Sequence, residues 1–151
     1  MMYPDVDDLL ASILDTFERH IAPEVRDEYA ASLSLTVAEL LRSVRVRVAL
    51  EGEALWTDNA ELAALLSELR PQVPGEVAEI IDAALAVTID GYPSVPRLRA
   101  QAVPLRAALV ACIEALPDPA HPGRVATRTY LSHQLQRQQP WLISAFVGPR
   151  R

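Results

Sequence analysis

The sequence predicts an all-α fold, a single-domain bundle of about six helices. Three observations carry that reading. Apolar residues recur three and four apart in most segments. The segments are separated by short clusters rich in proline and turn residues rather than by long linkers. Half of the residues are hydrophobic, mainly Ala, Leu and Val, with only five glycines among 151 residues, so the chain has enough apolar side chain to build a core.

The first segment opens with Asp5 as a helix cap, followed by Val6, Leu9, Leu10, Ile13, Leu14, Phe17 and Ile21 at helical spacing. Asp7 and Asp8 in the first turn complement the helix dipole, and Pro23 closes the segment. The second segment starts near Glu24 and contains "SVRVRVAL", which alternates like a strand. Leu33, Val37, Leu40, Leu41, Val44 and Val48 nevertheless lie on one helical stripe that runs through the alternation, and no turn residue precedes it. Helix is therefore expected, with Val46 and Leu50 adding apolar area on the opposite side. A helix apolar on two sides is central in a bundle or lies under an oligomer interface.

Gly52 is expected to end or loosen that helix, since glycine costs ~1 kcal/mol against alanine in a helix interior. "DNAE" (58–61) then reads as a capping box opening a third helix that buries Leu62, Leu65, Leu66 and Leu69. "PQVPG" (71–75) breaks the chain, and a fourth helix turns Val77, Ile80, Ile81, Ala84 and Leu85 inward. "TIDGYPSVP" (88–96) is a connection, with Ser94 as cap and Pro96 in the first turn of a fifth helix. That helix buries Leu98, Leu105, Leu109, Ile113 and Leu116, and Pro104 inside it predicts a kink or restart. "PDPAHPG" (117–123) leads to a sixth helix from about Arg124 to Gln138.

The tail "PWLISAFVGPRR" gathers Trp141, Leu142, Ile143, Phe146 and Val147. An apolar terminus left in water forms an adhesive patch, so this one is expected to dock on its own chain or across a two-fold onto a neighbour. Val46 and Leu50 mark a candidate groove, with Trp141 as anchor and Phe146 beside it. A homodimer or tighter oligomer is the resulting expectation.

Composition narrows the function classes. A net charge of −6 disfavours a general phosphate-backbone binder, and the one basic cluster, Arg42, Arg45 and Arg47, is surrounded by Glu39, Glu51 and Glu53. Every basic residue is Arg, which with the Ala and Leu excess suggests a high-GC bacterial source. The single Cys112 suits a reducing compartment, the N-terminus is acidic where a signal peptide is basic, and no apolar run reaches ~18 residues. A cytoplasmic protein without membrane or nucleic-acid partners is expected.

Two clusters offer chemistry. Arg47 and Glu51, four apart, form an ion pair that can hold a ligand carboxylate or phosphate, or a purely structural pair. Tyr130, His133 and Arg137 align at i, i+3 and i+7, supplying a proton donor, an acid/base and an anion clamp, or a solvated polar face. His20 reads as a helix C-terminal cation, His121 as a loop residue, and Cys112 as an inert buried thiol. There is no Glu-x-x-His, His-Glu-x-x-His, paired Cys, P-loop, Gly-x-Gly-x-x-Gly or Gly-x-Ser-x-Gly, so no catalytic residue, metal or cofactor is assigned.

"DLLASILDTFERHIAPEV", "ELLRSVRVRVALEGEALWTDNAELAALL" and "YLSHQLQRQQPWL" together resemble a family of small all-helical bacterial domains of unknown function. Members are often encoded beside, or fused to, aminoglycoside-phosphotransferase-like kinases and acyl-CoA dehydrogenases. The resemblance implies an accessory role near acyl-CoA or phosphotransfer enzymes and supplies no catalytic residues. The expected function is a non-catalytic interaction protein that self-associates or docks on a partner enzyme. The alternative is a small enzyme or acyl-ligand-binding bundle using Tyr130, His133, Arg137 or the Arg47–Glu51 pair.

Overall fold

The computed structural model describes residues 4–144, with side chains through Pro140. The protein is all-α, with no strand among the described residues. Among the described residues five α-helices follow one another: α1 (Val6–Thr16), α2 (Glu28–Leu69), α3 (Gly75–Leu85), α4 (Val95–Ala115) and α5 (Pro122–Ser144). A short π-helix at Phe17–Ile21 and a 3-10 helix at Ala22–Glu24 follow α1, and another 3-10 helix at Arg70–Gln72 follows α2.

Five helices rather than six result because the second and third expected segments are one helix of 42 residues. The expected break at Gly52 does not occur. A Cβ added there would meet Val95 Cγ2 at an ordinary 3.7 Å. The glycine costs the helix ~1 kcal/mol, which its neighbours offset. The "DNAE" box does not cap anything either, because both of its leading side chains are engaged elsewhere. Asp58 pairs with Arg137, and the Asn59 amide donates to the Leu98 carbonyl at 2.9 Å and to Gln101 Oε1 at 3.1 Å.

The capping residue of α1 is Asp5. It accepts from the Asp8 amide at 2.9 Å, and Asp8 accepts in return from the Asp5 amide. Asp27 caps α2 by accepting from the Ala30 amide at 2.8 Å, which places the start four residues after the expected Glu24. Pro104 lies within α4 without dividing it. Gly91, at φ +78°, takes the left-handed turn of the α3–α4 connection that other residues adopt only with strain. His121, expected as a loop residue, contacts the start of α5. The Gly123 amide donates to its Nδ1 at 3.1 Å and the Val125 amide to its carbonyl at 3.1 Å, so it caps α5.

The chain forms two compact units: one takes in residues up to Glu51 and from Gln138 onward, and the other is Gly52–Arg137. The second unit has an apolar core. Leu62, Leu65, Leu66 and Leu69 of α2 pack with Val77, Ile81 and Ala84 of α3, Leu105, Leu109, Cys112 and Leu116 of α4, and Tyr130 of α5. Ile80, expected inside, is exposed. Gly123 permits close packing here, since a Cβ would sit 2.6 Å from Leu69 Cδ2.

The first unit is organised differently. No residue of α1 is buried, and in the first half of α2 only Ala38 and Ser43 are. The stripe expected to be an interior face points outward: Leu33, Val37, Leu40, Val44 and Val48 are 41–53% exposed. The inner side carries Ala31, Ser34, Ala38, Arg42 and Arg45 instead. That side carries half-exposed ion pairs, with Arg45 bidentate to Asp7 at 2.5 and 2.7 Å and Arg42 bonded to Glu18 and Glu39.

Candidate functional site

In the second unit the helical spacing of α5 does bring Tyr130, His133 and Arg137 to one place, and α2 meets them with two carboxylates. Arg137 donates from Nε to Asp58 Oδ1 at 2.5 Å and from Nη2 to Glu61 Oε2 at 2.5 Å. His133 Nδ1 lies 2.6 Å from Glu61 Oε1. Asp58 and Glu61 stand three apart on α2, so one helix face presents both to the opposing row. Asp58 is 2% exposed, whereas His133 and Glu61 lie toward solvent.

The electrostatics follow from these contacts. Burial pushes the Glu61 carboxyl up, but the hydrogen bonds from His133 and Arg137 outweigh it and hold it below its ordinary range. For Arg137, burial opposes the charge and the bonds to Glu61 and Asp58 reinforce it, leaving its pKa above the usual guanidinium value. Tyr130 is 3% exposed, and its hydroxyl has no hydrogen-bond partner among the described residues. Burial, with the Asp58 charge adding to it, raises its pKa to about 12.

Chemically, this cluster is a closed ion-pair network. The guanidinium that would clamp a substrate anion spends Nε and Nη2 on carboxylates of its own chain. A phenol with a pKa near 12 is a poor proton donor at neutral pH, where a catalytic acid works best with a pKa near the operating pH. Asp58 and Glu61 were not recognisable as members of the cluster in the sequence. Their Asp-x-x-Glu spacing is also that of a capping box, and nothing local separates the two uses.

Arg47 and Glu51 do meet, with Arg47 Nη2 donating to Glu51 Oε1 at 3.2 Å along the first half of α2. Val46 and Leu50 line a groove of the first unit with Asp7, Leu14, Arg42, Arg45 and Ala49, of about 480 Å³. Its floor is apolar and its rim carries two arginines, both engaged by carboxylates. The Asp7 carboxyl is held below its usual range by the hydrogen bond from Arg45. The proposed anchors Trp141 and Phe146 lie outside the described residues, Trp141 by its side chain and Phe146 entirely. A smaller groove of about 340 Å³ is bounded by Val87–Asp90, Arg97, Ala100 and Gln101. Cys112 is buried in the second core, and burial pushes its thiol pKa up.

Among the described residues no group of three or more His, Cys, Asp or Glu is placed to hold a metal ion, and no helix is long and apolar enough to cross a membrane. Comparison with protein-family models, curated proteins and solved structures finds no match to the chain.

Proposed function

We propose that the protein is a non-catalytic interaction domain, an accessory protein whose first unit presents a docking surface while the second unit supplies a rigid folded body. The observation that carries this reading is the outward apolar row Leu33, Val37, Leu40, Val44 and Val48, above an inner side of Ala, Ser and Arg. α1 adds Val6, Leu9 and Ile13, each half-exposed. Monomeric soluble proteins seldom leave so much large apolar side chain in water, and such surface marks a place of contact with another macromolecule. The closed Tyr130–His133–Arg137 network supports the same reading, since its charges are satisfied within the chain. A role beside acyl-CoA or phosphotransfer enzymes, implied by the family resemblance, is compatible with such a docking surface.

Replacing Val37 and Val44 with glutamine tests this at submicromolar protein. A docking surface tolerates both changes with helicity and unfolding midpoint kept, and loses its stickiness on an apolar column. If the row is the first unit's own core, the variant loses the helical signal of that unit and the proposal fails.

A second reading rests on the 480 Å³ groove, whose apolar lining of Leu14, Val46, Ala49 and Leu50 suits an acyl chain. A thermal-shift screen with acyl-CoAs and free fatty acids tests it, because a ligand that binds only the native state raises the midpoint. A shift that Val46→Trp abolishes would favour this reading over the first.

A further inference from the structure

We infer that the first half of α2 pairs in parallel with the same helix of a second copy of this chain, through a seam of Leu33, Val37, Leu40 and Val44. The inference rests on the interaction-domain reading and names its partner. The spacing of these residues is four, three, four, which is a heptad seam with leucine at each d position and valine at each a position. In parallel coiled coils, β-branched residues at a with leucine at d favour two strands over three or four. The order recurs in α1, where Val6, Leu9 and Ile13 fall at a, d and a.

Three further features select a second copy over an unrelated partner. The positions flanking the seam at e and g are Ser34, Thr36, Leu41 and Ser43, none of them charged. A like copy therefore meets no like-charge repulsion there, and a foreign helix finds no charge pattern to read. The seam ends where Arg47 and Glu51 take the next d and a positions, already paired with each other, which marks the register. Size fits as well. The half-exposed apolar residues of α1 and α2 offer on the order of 600 Å² per chain, close to the ~800 Å² per partner of a standard interface. A two-fold pairing uses the same patch twice and closes without exposing a new one.

Sedimentation equilibrium and cysteine cross-linking of the full chain test the seam. The wild type is expected at twice the chain mass at micromolar concentration, and Val37→Asp with Val44→Asp at the single-chain mass. Leu35 is equally apolar and exposed but lies on the far side of the helix, so Leu35→Asp is expected to remain at twice the chain mass. Under mild oxidation Val44→Cys is expected to link two chains through a disulfide while Leu35→Cys does not, and the native Cys112 is buried and silent. The cysteine pair keeps the test decisive if the aspartates unfold the unit. A wild type at single-chain mass at all concentrations overturns the pairing, while leaving the docking surface to be judged by the glutamine variant. Equal cross-linking at Leu35 and Val44 overturns the seam.

Discussion

Replacing Arg137 with methionine removes the cation from Asp58 while keeping most of the side-chain bulk, and so measures what the network of the second unit is for. Asp58 is 2% exposed and Arg137 is its only ion-pair partner among the described residues, at 2.5 Å. Removing one member of a buried pair leaves an uncompensated charge, at a cost of about 3–5 kcal/mol. Glu61 and His133 are partly solvated, so their lost contacts add less than about 1 kcal/mol. Arg137→Met should therefore lose about 3–5 kcal/mol, dominated by the stranded Asp58 charge. Adding Asp58→Asn removes the stranded charge, and the double variant should recover most of the loss, giving a coupling energy of about 2–3 kcal/mol. Urea unfolding of the four chains of this cycle, followed by helical circular dichroism, reads it directly. A cost below about 1 kcal/mol for Arg137→Met would refute the reasoning and return Arg137 to the list of free anion clamps.

Other consequences are smaller but differ in sign. Gly52→Ala should stabilise by about 0.5–1 kcal/mol in thermal unfolding, because the new methyl meets only an ordinary contact in a helix interior. Gly123→Ala should destabilise by about 1–2 kcal/mol, since its methyl must displace Leu69 and Leu116 from the core. The folded pKa of Glu61 is depressed, so its contribution is full above its ordinary value of 4.5 and lost as pH falls through the lower folded value. Glu61→Gln should flatten the acid limb of the stability profile there by roughly 0.5–1 kcal/mol. Tyr130→Phe deletes a buried hydroxyl without a partner among the described residues, so urea midpoints at pH 7 should hold or rise by up to ~1 kcal/mol equivalent. The raised tyrosine pKa gives a contribution that is full below pH 10 and lost as pH climbs toward about 12, and the phenylalanine variant should lack that alkaline loss.

Much of the helical layout was legible because it depends on local chemistry. Asp5 caps the first helix, Pro71 and Pro74 stop a helix, and Leu62, Leu65, Leu66 and Leu69 turn inward as their spacing demands. The alternating "SVRVRVAL" is helical, as the longer spacing of Leu33 to Val48 predicts. What could not be read is which side of that stripe faces water. Periodicity places residues on a common face without saying whether the chain itself covers that face, and here the Ala38 side turns in and the Leu40 side out. The break at Gly52 failed for a related reason, since Asp58 and Asn59 find partners far away in sequence, in Arg137 and Leu98. Of the Tyr130, His133 and Arg137 row, the spacing was visible, but the carboxylates that satisfy it were not.

Coverage of the outward row of α2 by association is tested most directly by amide hydrogen exchange across a range of protein concentrations. Exchange at Leu33–Val48 should slow progressively as the concentration rises through the dissociation constant, while Leu62–Leu69 in the second core should keep the same protection throughout. Exchange at Leu33–Val48 that is fast and unchanged at every concentration would contradict it.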